Sequence, residues 1–390
     1  MIHRRGALAR AATAFGVTGA LVTGCAKSTT QASAQAAAGA VTIAVEAPMT
    51  GPESAVGKDI ANGVQLALSK SAPGGVASHF KVTTIVADDG GSLSKALSVA
   101  RSLIARRVAA VIGPYDPAVA QAVLPLYRRA QVAVLGLNPA VSLSGAGASV
   151  VPSLDRVAAV DAQELVEVQH AQKVAILEDP ASAGSVAVAS QLHNLLEAAG
   201  VAVLPDVAIA PGANPSPYLS FVEAARPDTW FLSMPGSEAA EVSSQLVASH
   251  LAAHCLVDLV AGSGPYATRC VASGLPSVSQ MPGGSAYNKA YAARFGAAAG
   301  IWGAFAYDSA LLLFDSARRA GRWDFRALIE QLGRERGLAG VTGDITMNAS
   351  NGSRVDAPVV VLDAGPSGVG TIDAAWDAYS GYTVSGTSHA

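Results

Sequence analysis

The chain has 390 residues and a formal net charge of −3; 51% of its residues are hydrophobic and 14% are charged. A mildly acidic protein of this kind is unsuited to binding nucleic acid, whose phosphates require a basic surface. The chain is long and apolar enough to bury a large core and to form two lobes of ordinary domain size.

The N-terminus has the pattern of an export signal. Three arginines precede residues 11–24, an uncharged run shorter than the about 20 apolar residues that span a bilayer. The run ends in Leu21-Val22-Thr23-Gly24-Cys25, which resembles the bacterial lipobox, where the cysteine is acylated before the leader is cleaved. We predict a leader over residues 1–24 and a lipid on Cys25, with an ordinary secretory signal as the alternative. The pair Arg4-Arg5 leaves twin-arginine export open.

Residues 25–40 are small and polar and include no aromatic side chain, so they cannot bury enough surface to fold. They are predicted to form a flexible tether, and residues 381–390 a disordered tail. Because two or three acyl chains hold a protein on a membrane almost permanently, we expect a protein attached to the membrane outside the cytoplasm and not spanning it.

From Val41 onward, apolar runs alternate with helical stretches. VTIAVEAPMTG (41–51) predicts a strand and a turn, KDIANGVQLALSK (58–70) a helix, and KVTTIVADDG (81–90) a strand. The alternation continues through a helix at 93–107 and the runs VAAVIGPYD, VAVLGLNP, KVAILEDPASAG, TWFLSMPGSEAAEVSSQL and HCLVDLVAGSG. This pattern predicts βαβ units and parallel sheets covered on both faces, with more units than one sheet usually takes. Asp308, before an apolar helix, is either the cap of that helix or a solvated acid.

Seven segments, in order along the chain, resemble the type I periplasmic binding proteins, specifically the branch that binds leucine, isoleucine and valine. They are PMTG (48–51), GKDIANGVQLAL, VADDGGSLSKAL, VAAVIGP, KVAILEDPASAG, AYDSALLLFDSARRAG and GLAGVTGDITMNASNGSRVDAPVVVL. The resemblance implies an α/β fold of two Rossmann-like lobes with parallel sheets, joined by a three-strand hinge and closing on a ligand. Lobe 1 is expected to take 41–155 and 282–337, and lobe 2 with the hinge 156–281 and 338–380.

The ligand-binding loops depart from the family's pattern. Family members that bind amino acids use a serine after the IGP-like strand and a threonine in the next loop to hold the ligand carboxylate. Pro117 and residues 137–140 stand near those positions and carry no hydroxyl. Asp116 would repel a carboxylate in a closed cleft, and Ala183 replaces the family's tyrosine. A neutral or cationic ligand, or one held by apolar contacts, is therefore expected.

Ligands of such sheets bind outside the carboxyl ends of the strands, so the candidate residues follow the apolar runs. For the polar candidates, loop solvation or helix capping is the alternative. The predicted ligand-binding residues are Thr50, Glu53, Tyr115, Asp116, Leu137, Asn138, Ala183, Met234 and Asp258.

If Cys25 carries lipid, Cys255 and Cys270 remain as an even pair. Outside the cytoplasm a disulfide between them is permitted, and two separately buried thiols are the alternative. There is no C-x-x-C motif, so a redox or zinc role has no support.

The motifs favour binding over catalysis. The chain has no G-x-S-x-G or H-E-x-x-H, and GAGAS (145–149) lacks the third glycine of a dinucleotide fingerprint. GPESAVGKD (51–59) differs from a Walker A loop in spacing and has Asp59 where a hydroxyl must meet magnesium. His250 and His254 are more typical of a surface than of a metal site. We expect no enzyme activity, cofactor or metal.

Two functions fit these features. The first is a solute-binding lipoprotein that delivers a small molecule to an ABC permease. The second is a ligand-sensing or interaction lipoprotein that presents its closed shape to a signalling partner. Permease and ATPase genes beside its gene would favour the first.

Replacing Cys25 with Ser should remove the acylation site and leave the chain unprocessed or released from the membrane. Labelling cells with a radioactive fatty acid, followed by membrane fractionation, measures both effects. A Cys25→Ser chain that is still labelled and membrane-bound would contradict lipidation at this residue.

Overall fold

The computed structural model describes residues 40–70, 81–138, 142–251, 254–259, 270–363 and 370–382. The predicted leader, Cys25, nearly all of the tether and residues 383–390 of the predicted tail lie outside this part of the chain. All described residues belong to one compact unit, Ala37–Ala390.

The first sheet has five parallel strands in the order β2-β1-β3-β4-β5. Strands β1, β3, β4 and β5 are mostly buried between helices on both faces, whereas the edge strand β2 is partly exposed. The strands are β1 (Ala40–Ala47), β2 (Lys81–Asp88), β3 (Ala110–Ile112), β4 (Ala133–Gly136) and β5 (Gly147–Ser149).

Helices from two distant parts of the chain cover this sheet. One face packs against α2 and α3, and the other against α1, α8, α9 and α10. Residues 284–333 therefore return to the sheet formed by residues 40–149. The helices are α1 (Ser54–Lys70), α2 (Leu93–Ala105), α3 (Pro117–Ala130), α8 (Gly284–Phe295), α9 (Ile301–Ala320) and α10 (Phe325–Gly333).

The second sheet has the order β14-β11-β10-β9-β6-β7, with β8 also paired to β6; it is parallel except for β14. Helices α6 and α7 cover one face, and α4, α5 and α11 the other. The strands are β6 (Lys173–Glu178), β7 (Ala202–Val203), β8 (Val207–Ala208), β9 (Thr229–Ser233), β10 (His254–Val257), β11 (Cys270–Gly274) and β14 (Val360–Asp363). The helices are α4 (Leu154–Gln163), which continues as a π-helical turn (Glu164–Val168), α5 (Ala183–Ala198), α6 (Ser216–Glu223), α7 (Gly236–Ala248) and α11 (Ala374–Ser380).

The chain passes between the two sheets three times, after β5, after β11 and before β14. Ser149, at the end of β5, pairs with Ser353 of the third passage. The prediction of an α/β fold with two parallel-sheet lobes joined by three crossovers is confirmed.

A hairpin of β12 (Leu338–Gly340) and β13 (Gly343–Ile345) precedes the third passage. Asp308 holds its turn: the carboxylate accepts hydrogen bonds from the backbone nitrogens of Val341 at 2.7 Å and Thr342 at 2.8 Å, and from the Thr342 hydroxyl at 2.6 Å. Both interpretations of Asp308 from the sequence were wrong. Helix α9 begins seven residues earlier, at Ile301, and Asp308 has no exposed surface.

Cys255 and Cys270 stand opposite each other on β10 and β11. A disulfide joins them across a sequence separation of 15 residues, and their Cα atoms are 4.5 Å apart. The bond lies near the amino ends of β10 and β11, away from the carboxyl edge of the sheet.

Reduction should lower the melting temperature, because a cross-link closing a loop of this size removes about 3 kcal/mol of unfolded-state entropy. The double variant Cys255→Ala, Cys270→Ala is the control, and its melting temperature should not respond to the reductant. Two free thiols found by mass spectrometry in exported protein would contradict the bond.

Candidate ligand-binding site

The loops at the carboxyl ends of the parallel strands bring most of the predicted residues to two edges, one on each sheet. Thr50 and Glu53 follow β1, and Tyr115 and Asp116 follow β3. The other positions are Leu137 and Asn138 after β4, Ala183 at the start of α5, Met234 after β9 and Asp258 after β10. This is the edge at which open α/β sheets bind ligands.

The loop after β1 is fixed by Asp88, the last residue of β2. The Asp88 carboxylate accepts hydrogen bonds from the Thr50 hydroxyl at 2.7 Å and the backbone nitrogens of Met49 at 2.9 Å and Thr50 at 3.1 Å. It also accepts a hydrogen bond of 3.0 Å from the Gly90 backbone nitrogen and forms an ion pair with Lys95 at 2.5 Å. Burial opposes ionisation, but the Lys95 ammonium and the Thr50 hydroxyl hold the pKa of Asp88 well below its usual range. The Thr50 hydroxyl therefore already has a structural partner.

Asp116 caps helix α3. Its Oδ1 accepts a hydrogen bond of 2.8 Å from the backbone nitrogen of Val119, while Pro117 occupies the first helical position. Capping, the alternative interpretation of this residue, is therefore present. Only Oδ1 is used by the cap, and among the described residues no basic side chain forms an ion pair with Asp116.

Glu53, Tyr115 and Asp116 form an electrostatic cluster at the first edge. Partial burial, followed by the charges of Glu53 and Asp116, raises the pKa of Tyr115 to about 12. The pKa of Glu53 is raised by partial burial and by the charge of Asp116, although the residue as a whole is exposed. The two carboxylates repel each other, so a positive charge placed between them would be stabilised.

Trp302 completes this edge and was missed from the sequence. Its ring meets the Tyr115 ring edge to face, with 4.8 Å between centroids. Trp302 lies in the first turn of α9, where Asp59 of α1 accepts hydrogen bonds from the backbone nitrogens of Gly300 at 2.9 Å and Gly303 at 2.5 Å. Nothing in the local sequence signals this contact, because the two rings come from segments that only the fold brings together.

Two of the predicted residues point into the protein interior. Leu137 has no exposed surface and packs in the core of the first lobe, and Met234 is 1% exposed in that of the second. Both are apolar residues directly after a strand, where the backbone continues the buried run. We therefore remove them from the proposed site. Ala183 is exposed but starts α5 and offers only a methyl group.

Asn138 is almost completely buried behind the Tyr115 loop. Its Nδ2 donates a long hydrogen bond of 3.5 Å to the Pro114 carbonyl. Its Oδ1 is buried and has no partner within the described residues. The amide can thus accept one further hydrogen bond at the carboxyl end of β4.

Asp258 lies below the surface of the second edge. It has no exposed surface and accepts a hydrogen bond of 2.5 Å from the Ser233 hydroxyl. Asp161 of α4 is equally buried, and burial together with the charge of Asp258 raises its pKa well above the usual value. The nearby Ser273 hydroxyl lowers the pKa of Asp161 in part, although the two side chains do not form a hydrogen bond of ordinary geometry. Asp258 thus belongs to a buried polar cluster of the second lobe.

The described residues offer neither a metal site nor a membrane-spanning helix. Over the described ranges, no three histidine, cysteine, aspartate or glutamate side chains are grouped so that they could hold a metal ion. His250 and His254 are both exposed. In the same residues, no helix is long and apolar enough to cross a membrane.

The comparisons with known proteins agree with this architecture. Residues 40–368 match the family described as periplasmic binding protein. A Leu/Ile/Val-binding protein, BraC3, from Rhizobium johnstonii is 30% identical over 180 residues, which are 44% of this chain and 48% of that protein. The match thus spans about half the length of this curated relative.

Solved structures show the same fold. A leucine-binding protein, LivK, from Thermotoga maritima has a TM-score of 0.70 at 23% identity, over 86% of this chain and 98% of that one. An ABC transporter substrate-binding protein from Desulfitobacterium hafniense in complex with Leu has a TM-score of 0.72 at 18% identity, over 86% and 100%. A Rhodopseudomonas palustris solute-binding protein of an ABC transporter, in complex with 3,4-dihydroxybenzoic acid, has a TM-score of 0.66 at 18% identity, over 83% and 93%.

Two parallel-sheet lobes joined by three crossovers are the fold of the type I periplasmic binding proteins. Because the family match covers most of the chain, this protein belongs to the periplasmic binding protein family. Membership of this family implies that the protein is located outside the cytoplasm.

Glu46 gives the first lobe a pH-dependent stability. Burial raises the pKa of Glu46 to about 8, the Tyr127 hydroxyl lowers it in part, and Asp89 raises it further. Tyr127 donates to Oε2 at 2.6 Å, and Oε1 has no partner in the described chain. Folded Glu46 therefore keeps its proton up to about pH 8, whereas the unfolded chain loses it near pH ~4.3. The free energy of unfolding should fall as pH rises through this window.

Glu46→Gln keeps an acceptor for Tyr127 and removes the titration. The variant should gain stability over the wild type between pH 5 and pH 8, by an amount on the order of 3 kcal/mol at the upper end. Thermal melts across this range are the measurement, with the exposed Glu223→Gln as the matched control. Parallel curves for wild type and Glu46→Gln would show that Glu46 does not titrate in this way.

Proposed function

We propose that this chain is a lipid-anchored extracytoplasmic protein that captures a small molecule between its two lobes and delivers it to an ABC importer. The lipid is carried by Cys25, residues 25–40 are the tether, and the permease subunits are the partner. Lobe 1 comprises 41–155 and 282–337, and the rest of the folded chain forms lobe 2 and the hinge. The protein itself performs no chemistry.

The observation that supports this most is the gathering of aromatic and carboxylate groups at the carboxyl edge of the first sheet. Tyr115 and Trp302 are in contact there, and partial burial and the charge of Asp116 raise the pKa of Glu53. A ligand held on this edge is covered when two lobes joined by three crossovers close like a hinge.

The same edge favours an amine or other donor over a carboxylate. Pro117 and Ala118 occupy the first turn of α3, where a hydroxyl would be needed to receive a carboxylate. A carboxylate would also meet Glu53 and Asp116, whereas a cation would be attracted to them and to the faces of the two aromatic rings. Among the similar proteins, one is described as binding leucine and another is in complex with an aromatic acid. We nevertheless propose that this chain prefers a neutral or cationic ligand.

The alternative is a ligand-sensing or interaction lipoprotein that uses the same fold without transport. Both functions need a ligand in the cleft, so binding alone does not separate them. Uptake of the ligand by cells with and without this gene does, because only the transport function makes uptake depend on the protein.

Ligand binding is tested with the purified chain carrying Cys25→Ser. A thermal-shift screen covers amino acids, amides, polyamines and aromatic acids, and includes benzylamine and benzoate as a pair that differs in charge. A bound ligand raises stability by RT ln(1 + [L]/Kd). If no compound of any charge raises the melting temperature, the proposed function loses its support.

Asp116→Asn separates the charge of Asp116 from its helix cap, because asparagine caps helices about as well as aspartate. We expect the variant to keep its melting temperature and to bind the best amine or amide more weakly by about 1.5 to 3 kcal/mol, the range for a hydrogen bond to a charged group. Calorimetry measures the affinity. Asp373→Asn, at the cap of α11, is the matched control. Unchanged affinity in Asp116→Asn would place the site elsewhere.

A further inference from the structure

A strongly basic surface lies at the other end of the first sheet from the candidate site. Arg106 and Arg107 follow α2, and Arg128 and Arg129 lie in the last turn of α3. Lys81 begins β2, and Arg326 lies in the first turn of α10. All six side chains are exposed, and none forms an ion pair with an acid of the described residues. We call these six residues the basic pole.

Three of the chain segments that carry the basic pole meet at one groove. A shallow groove is lined by Arg107 at the end of α2, Gln131 at the end of α3 and Phe325 at the start of α10, so these three chain segments meet. The acid beside the groove, Asp324, is already paired with Arg322 at 2.6 Å. The excess positive charge of the pole is therefore not neutralised locally.

Helix capping does not account for the whole pole. The helix dipole favours cations at the carboxyl ends of α2 and α3, which covers four of the six residues. It disfavours a cation in the first turn of α10, where Arg326 lies, and it has no bearing on Lys81, which begins a strand. The chain has few charged residues overall, yet the six cations of the basic pole lie at one end of the first lobe.

The folded domain also begins at this end. Ala40, the first residue of β1, pairs with Lys81 of the basic pole. The 15 residue-to-residue steps from Cys25 to Ala40 would span roughly 20 Å as a flexible coil and at most about 50 Å when extended. This step rests on the proposed anchoring at Cys25, which would hold the pole close to the lipid surface.

We propose that the basic pole docks on anionic phospholipid headgroups. Each arginine or lysine near an anionic surface adds about 1 kcal/mol of attraction, which acts within about 8 Å at physiological salt. The strands run from this pole to the candidate site, so docking directs the carboxyl edge of the first sheet away from the lipid. Glu53 and Asp116 at that edge would be repelled by the same headgroups, which reinforces the orientation.

The test uses the full chain with Cys25→Ser, so that no acyl chain contributes to binding. Co-sedimentation is measured with vesicles of phosphatidylcholine alone and with two-to-one phosphatidylcholine and phosphatidylglycerol, at low and physiological salt. We expect binding to the anionic vesicles only, weakened by salt. Arg106→Gln with Arg107→Gln should lower this affinity by about 10- to 30-fold, from the contribution of two arginines.

The matched control is Lys289→Gln with Arg294→Gln, which removes two exposed charges from α8 on the same lobe. It should bind anionic vesicles like the parent chain. Equal binding to both vesicle types, no binding to anionic vesicles at low salt, an equal loss in the control, or tighter binding to duplex DNA than to the vesicles would each overturn the proposal. Ligand-induced melting shifts are measured on the same variants, so a failure of lipid docking is distinguished from a failure of solute binding.

Discussion

The packing of α9 against α1 holds the first lobe together, because these helices come from chain segments separated by most of the second lobe. The helices approach so closely that a Cβ on Gly63 would lie 2.0 Å from the Gly303 carbonyl oxygen. Asp59 fixes the register by accepting hydrogen bonds from Gly300 and Gly303 at the start of α9. The contact between α1 and α9 thereby closes the lobe and places Trp302 against Tyr115.

The first lobe is electrically polarised along its strands. Glu53, Asp88 and Asp116 lie at the carboxyl edge, and four arginines lie at the opposite end, two after α2 and two in the last turn of α3. Parallel βα units produce this separation, because every loop after a strand opens on one edge and every helix ends at the other. Ligand selection and surface docking can therefore be controlled independently within one sheet.

Buried carboxyl groups in this protein fall into two kinds. Burial raises the pKa of Asp308, but its three hydrogen bonds and the nearby Arg354 offset part of that rise. Burial also raises the pKa of Glu46 and Asp161, and no basic side chain in the described residues offsets it. Asp308 in addition connects distant segments, and each raised pKa makes stability depend on protonation.

The sequence by itself determined the alternation of strands and helices, the two lobes and the edge at which the candidate residues lie, because these follow from local periodicity and from the geometry of parallel sheets. It placed Glu53, Tyr115 and Asp116 on that edge. Tertiary structure alone decided that Leu137 and Met234 face the cores, that Asp308 lies inside a helix, and that Trp302 joins the edge. Those outcomes depend on contacts between residues far apart in the chain, which no local pattern records.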